Sequence, residues 1–165
     1  MEDAHSVIKI YDRSGKYLAD LDQKFIGTVS GFSGESTETE TFYTITSFTT
    51  PAIIYKYDIE KNKSELYKNS QIDFDASAYE TKQIFYTSKD GTKVPMFIVH
   101  KKGIALDGSN PTLLYGYGGF NISLTPFYSV VRLIWLEQGG VLAIHNIRGG
   151  GEYVADWHKA ATLMN

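Results

Sequence analysis

The sequence contains no cysteine, and it has only three arginines beside 13 lysines. Without cysteine, no disulfide framework can form, and a cytoplasmic location is consistent with that composition. The net charge is −3. Because there is no basic stripe that could neutralise a phosphate backbone, we do not expect nucleic acid as a partner.

Long hydrophobic runs are missing as well. The longest apolar stretch of the C-terminal half, 130–144, is interrupted by Arg132, Glu137 and Gln138, whereas a membrane span needs about 20 apolar residues. The first residues, Met1-Glu2-Asp3-Ala4-His5, lack the basic start and apolar centre of a signal peptide. We therefore expect a cytoplasmic protein with no membrane partner.

Motifs for metals and nucleotides are not found either. No H-E-x-x-H occurs, and the histidines lack ligand spacing: His5, His100, His145 and His158. Gly149-Gly150-Gly151 precedes a predicted helix, but Val154 stands where G-x-G-x-x-G needs its third glycine, and there is no P-loop. We expect no metal and no cofactor.

The first part of the chain has the sequence pattern of antiparallel β-structure. Short apolar and polar stretches alternate from Val7 to Ser70, and turn clusters separate them at 12–15, 33–36 and 60–63. The segment Ile8-Lys9-Ile10-Tyr11-Asp12 is echoed 46 residues later by Ile54-Tyr55-Lys56-Tyr57-Asp58. Propeller blades repeat at about 40 to 50 residues, so the echo indicates one blade with parts of its neighbours, or a chance similarity of two hairpins.

The pattern changes after a polar linker at 69–77. Lys89-Asp90-Gly91-Thr92 lies between apolar runs and predicts a β-hairpin. Pro95, in the second of these runs, cannot donate to a ladder, so we expect it at a sheet edge or a bulge.

A βαβ unit follows the hairpin. Thr112–Tyr115 is a short apolar run typical of a parallel strand buried on both faces. A helix is predicted over Ser129–Gln138, with Gly139-Gly140 as its stop, and a second buried strand over Val141–His145. Another helical pattern runs from Val154 to Met164. These elements predict a parallel sheet.

Glycines concentrate where the two parallel strands end. Eight of the 15 glycines lie between Gly116 and Gly151, at the strand edge where open parallel sheets bind ligands. Tight turns are the simpler explanation for any single one of them. No G-x-S-x-G nucleophile motif occurs in the chain. Ser33, in Gly31-Phe32-Ser33-Gly34-Glu35, has only half of it and is expected to be a turn residue.

Long motifs in these segments resemble the prolyl oligopeptidase family. They are Leu114-Tyr115-Gly116-Tyr117-Gly118-Gly119-Phe120-Asn121, Asn146-Ile147-Arg148-Gly149-Gly150-Gly151-Glu152-Tyr153, Trp157-His158-Lys159, and the stretch 89–103. Residues 1–70 resemble the last blades of the family's seven-bladed propeller. The resemblance implies a mixed fold, with the C-terminal part of a β-propeller at 1–72 and the N-terminal part of an α/β-hydrolase domain at 73–165. It also implies a fragment whose catalytic Ser, Asp and His lie further along.

The function implied by this resemblance is that of a cytosolic serine peptidase that hydrolyses short peptides on the carboxyl side of proline. Tyr117 would donate its hydroxyl to the oxyanion hole, and Phe120 would line the pocket for the proline ring. A satisfied core phenol is the alternative for Tyr117. Arg148 and Glu152 are expected to pin loops together, and Val154 replaces a glycine common in the family.

Two other functions stay open from the sequence. The chain could be a non-catalytic binding module that reuses hydrolase sequence, or it could come from another oligopeptidase of the same clan. If the chain is instead a fragment of the serine peptidase, we expect it to be inactive alone, with short proline-containing peptides and the remainder of the same polypeptide as its partners.

Overall fold

The computed structural model describes residues 1–162. The chain forms two compact units, one built from Met1–Asp73 with Pro126–Tyr128, the other from Phe74–Thr125 and the chain from Ser129 onward. Among the described residues, no helix has the length and apolar character needed to cross a bilayer.

The first unit is antiparallel throughout, as predicted for Val7 to Ser70. A two-stranded hairpin pairs β1 (Lys9–Tyr11) with β2 (Tyr17–Asp20), and a four-stranded sheet has the order β3-β4-β5-β6. Its strands are β3 (Thr28–Ser33), β4 (Glu40–Thr46), β5 (Ile53–Asp58) and β6 (Lys63–Lys68). A four-stranded antiparallel sheet with neighbouring strands in chain order is the arrangement of one propeller blade.

The core of this unit comes from the inward positions of the central strands. Tyr43 and Ile45 of β4 and Tyr57 of β5 are buried, as the alternation of side chains along a strand requires. Phe32 lies in a bulge of β3 at φ +60° and stacks on Tyr43 with 4.9 Å between ring centroids. Ser33 is the last residue of β3, so the half-motif around it belongs to a bulged strand end.

The second unit contains a mixed sheet of order β7-β8-β10-β9. Its strands are β7 (Tyr79–Thr87), β8 (Lys93–Lys101), β9 (Thr112–Tyr115) and β10 (Val141–His145), and its helical elements are a 3₁₀ turn (Ala76–Ala78), α1 (Val130–Glu137) and α2 (Val154–Lys159). β9 and β10 are parallel and α1 connects them, so the predicted βαβ unit is confirmed. The predicted hairpin is confirmed as the antiparallel β7–β8 pair.

The expected burial of β9 on both faces is wrong. All four of its residues are exposed, and Leu114 has 59% of its surface accessible. β9 is an edge strand, whereas α1 packs on β10 and β8. The covered positions therefore lie on the two central strands, at Phe97, Val99, Leu142 and Ile144.

Two other expectations also need correction. Pro95 does not lie at a sheet edge or a bulge, because it is buried in the central strand β8 opposite Phe85, without a register shift. Its carbonyl accepts a hydrogen bond from the Asn146 amide at 3.0 Å. The last helix ends at Lys159, and 163–164 of the predicted span lie outside the described residues.

Candidate functional site

Two loops leave the sheet side by side at the carboxyl ends of the parallel strands. We name Gly116–Asn121 the first glycine loop and Asn146–Glu152 the second glycine loop. The first follows β9 and the second follows β10, and Tyr115 pairs with Ile144 at the end of the ladder. This is the sheet edge where ligands of open parallel sheets bind, and the sequence predicted both loops there.

The backbones of the two loops are in direct contact. The Asn121 amide donates to the Gly149 carbonyl at 3.2 Å. Gly118 has φ +58°, and a Cβ there would lie 2.7 Å from the Arg148 carbonyl oxygen. Gly149 has φ +98°, and a Cβ there would overlap the Gly118 carbonyl oxygen. Glycine at these two positions therefore permits both the backbone conformation and the close approach.

Helix α2 supports the second glycine loop from behind. The Gly149 amide donates to the Trp157 carbonyl at 2.9 Å, and Trp157 Nε1 donates to the Ile147 carbonyl at 3.2 Å. His158 Nδ1 lies 2.7 Å from the Gly149 carbonyl oxygen. Trp157 is buried, so the Trp-His pair of the sequence motif holds this loop in place.

Tyr117 stands on the first glycine loop with its ring against Gly119. It is 46% exposed, and its hydroxyl has no hydrogen-bond partner within residues 1–162. The alternative of a satisfied core phenol therefore does not describe this residue. A phenol on a short, pinned loop is a free hydrogen-bond donor at the sheet edge.

Phe120 is 84% exposed and has φ +52°, and Asn121 follows at φ +57°. Two successive non-glycine residues in the left-handed region are uncommon and are typical of functional loops. The residue after Phe120, Asn121, donates its backbone amide to the Gly149 carbonyl. The loop thus presents an apolar ring outward, three residues from the Tyr117 phenol.

Arg148 connects the second glycine loop to the β7–β8 hairpin. Its Nη1 forms an ion pair with Asp90 Oδ2. The Thr92 amide first, and the Arg148 guanidinium second, lower the pKa of Asp90 to about 2. The carboxylate is therefore ionised across the physiological range, and the expected pinning role of Arg148 is the role its contacts describe.

Glu152 joins one backbone group and one side-chain group in the interior. Its Oε1 accepts from the Leu124 amide at 3.0 Å and from Asn146 Nδ2 at 3.1 Å. The same Asn146 Nδ2 donates to the Leu124 carbonyl at 2.7 Å. Sequence reasoning anticipated Glu152 as a structural residue but missed Asn146 and Leu124. The available signal was a polar asparagine directly after a buried strand.

The histidines are dispersed in the structure as they are in the sequence. His145 Nδ1 lies 3.1 Å from the Tyr86 hydroxyl, and burial lowers the pKa of His145. His100 is buried, with Nδ1 2.9 Å from the Lys101 carbonyl oxygen. In the part of the chain that is described, no group of three or more His, Asp or Glu side chains could hold a metal ion.

The residue that departs from the family pattern has an unusual backbone. Val154 has φ +58° and is 75% exposed. A β-branched side chain in the left-handed region is a genuine outlier. The turn therefore keeps the conformation that suits glycine, although valine occupies it.

Comparison with known proteins gives the family of this chain. Residues 1–70 match the family profile described as "Prolyl oligopeptidase, N-terminal beta-propeller domain". The blade-like sheet of the first unit thus belongs to the propeller class.

Relatives and solved structures match almost the whole chain. The prolyl endopeptidase of Elizabethkingia miricola is 52% identical over 162 residues, covering 98% of this chain and 23% of the relative. Prolyl oligopeptidase A of Amanita bisporigera is 39% identical over 156 residues, covering 92% and 20%. A prolyl oligopeptidase B of Galerina marginata, solved with a 25mer macrocyclization substrate, is 36% identical with a TM-score of 0.85, covering 96% and 22%.

The chain belongs to the prolyl oligopeptidase family. It spans about a quarter of the length of the curated relatives it matches.

Proposed function

We propose that this chain is part of a serine peptidase that hydrolyses short peptides on the carboxyl side of proline. In this proposal, residues 1–72 form the end of a β-propeller and residues 73–165 begin an α/β-hydrolase domain. The βαβ unit with its two glycine loops supports the hydrolase part. The relatives named prolyl endopeptidase support the reaction and its specificity.

The observation that carries the proposal is the Tyr117 hydroxyl, which has no hydrogen-bond partner among residues 1–162 and stands on a loop whose backbone is pinned by the neighbouring loop. Attack on a peptide carbonyl places negative charge on its oxygen in the tetrahedral intermediate. A preorganised donor that meets this charge lowers the barrier by about 3 to 4 kcal/mol. Tyr117 is the donor in this proposal.

Phe120 has a separate role in the proposal. Its ring is exposed on the same loop, and a neutral aromatic wall suits the apolar pyrrolidine ring of proline better than it suits a charged side chain. Binding through Phe120 stabilises the ground state and the transition state alike. Removing the ring should therefore change KM more than kcat.

The test is a chimera in which this chain replaces the matching 162-residue segment of the Elizabethkingia miricola prolyl endopeptidase. The chimera should cleave a short fluorogenic peptide with proline before the reporter. Tyr117→Phe should lower kcat by about 10² to 10³ with little change in KM. Phe120→Ala should raise KM, and Tyr115→Phe, the same chemical change on the adjoining strand, is the control.

Two outcomes would contradict the proposal. A folded chimera without activity on proline peptides would remove the proposed function, and an unchanged kcat in Tyr117→Phe would remove Tyr117 from the mechanism.

The chain alone has no G-x-S-x-G motif, so it should resist labelling by a fluorophosphonate, which needs an activated serine. Cell fractionation tests the cytoplasmic location that forms part of the same proposal.

A further inference from the structure

We propose that Glu152 and Asn146 are positioning residues that clamp Leu124 and thereby hold the first glycine loop, with Tyr117, in its reactive geometry. We name these two side chains and the Leu124 backbone the Leu124 clamp. The inference rests on the proposed function, because it gives the clamp a part in the same reaction.

The clamp captures both backbone polar groups of Leu124. Its amide donates to Glu152 Oε1 at 3.0 Å, and its carbonyl accepts from Asn146 Nδ2 at 2.7 Å. The backbone amide of Asn146 in turn donates to the Pro95 carbonyl at 3.0 Å. Leu124 is thus tied, through Asn146, to the central strand β8.

Burial makes this clamp rigid. Asn146 is 0% exposed and Glu152 is 8% exposed, so water does not replace their hydrogen bonds easily, and an unmade bond leaves a buried polar group without a partner. Gly150 provides the space, because a Cβ at that position would overlap Glu152 Oε2. The second glycine loop is therefore built around this carboxylate.

The first glycine loop is held at both of its ends. At its start, Tyr115 pairs with Ile144 in the parallel ladder. At its end, the Asn121 backbone amide donates to the Gly149 carbonyl at 3.2 Å, and the clamp at Leu124 follows three residues later. A short loop fixed at both ends has few conformations, and such preorganisation of a catalytic group is what Tyr117 needs.

The kinetic test uses the chimera with Glu152→Ala, Glu152→Gln and Tyr117→Phe. Glu152→Ala should lower kcat per titrated active site by about tenfold or more with KM nearly unchanged, and Glu152→Gln, which keeps a carbonyl acceptor, should recover most of it. In the Tyr117→Phe background, Glu152→Ala should lower kcat further by less than about twofold, because the effects of residues that act together do not add. Independent, multiplying losses would overturn the proposal.

A second measurement needs no activity. In the 165-residue chain, Glu152→Ala should speed amide hydrogen exchange at Leu124 and Asn121 by about tenfold or more, while Val99 in β8 stays protected. Glu137→Gln, which removes an exposed carboxylate, is the matched control and should change neither rate. Unchanged exchange at Leu124 and Asn121 would overturn the clamp. If the chimera without substitutions is inactive, the proposed function is contradicted, and the hydrogen-exchange measurement alone decides on the clamp.

Discussion

Replacing Val154 by glycine should make the second unit more stable. Val154 sits at φ +58°, a conformation that costs an L-residue about 1 to 2 kcal/mol, and a β-branched residue lies at the upper end. Glycine avoids this cost but loses about 0.5 to 1 kcal/mol of chain entropy on folding. The side chain is 75% exposed, so little buried apolar surface disappears. The net gain is about 1 kcal/mol.

Urea denaturation followed by tryptophan fluorescence measures this change, because both tryptophans, Trp135 and Trp157, lie in the second unit. The midpoint should rise, and Tm of the second unit should increase by about 4 to 8 °C. Val154→Ala keeps a Cβ and should recover only part of the gain. Val131→Gly, at a 76% exposed position inside α1, should lose about 0.5 kcal/mol. If Val154→Gly is destabilising like this helical control, the reasoning about backbone strain is refuted.

The remaining predictions concern the second glycine loop. Gly149→Ala should cost more than about 2 kcal/mol in urea denaturation, because it adds a clash with the Gly118 carbonyl to a φ of +98°. Gly103→Ala, at φ +81° in open space, should cost only about 1 kcal/mol, and equal losses would show that loop contact has no share in the effect. The pKa of Asp90 is lowered from 3.8 to about 2, so its contribution to stability is present above about pH 4 and is lost as the pH falls through 2. Asp90→Asn should therefore be less stable than the native chain at pH 6, and the difference should shrink as the pH falls through 2, whereas parallel pH profiles would contradict the contacts of Asp90 with Thr92 and Arg148.

The elements of the second unit were predictable where their signals are local. The Asp90-Gly91 dipeptide defines its hairpin within a few residues. The βαβ unit follows from a short apolar run, a helical pattern and a second run. Burial was less predictable, because the apolar composition of β9 does not say whether another layer covers it. Pro95 was misplaced because it lies opposite the chain just past the end of β10, which stops at His145, and its carbonyl still accepts from the Asn146 backbone amide, 51 positions away.

The candidate site shows the same division between local and distant signals. Spacing after the strands was enough to place Tyr117 and both glycine loops at one sheet edge. The Leu124 clamp was not foreseen, because it joins a backbone group to side chains 22 and 28 residues later. The position of Val154 was noticed as a missing glycine, but only the structure gives its left-handed φ.

The exposure of β9 has a consequence for how the protein behaves at high concentration. An edge strand presents backbone donors and acceptors to solvent and can template pairing with another strand. Here that edge also exposes Leu113, Leu114 and Tyr115, with no charged residue in Thr112–Tyr115 to oppose association. Strand-to-strand self-assembly through β9 is therefore a colloidal hazard of this chain, and Leu114→Lys should reduce it.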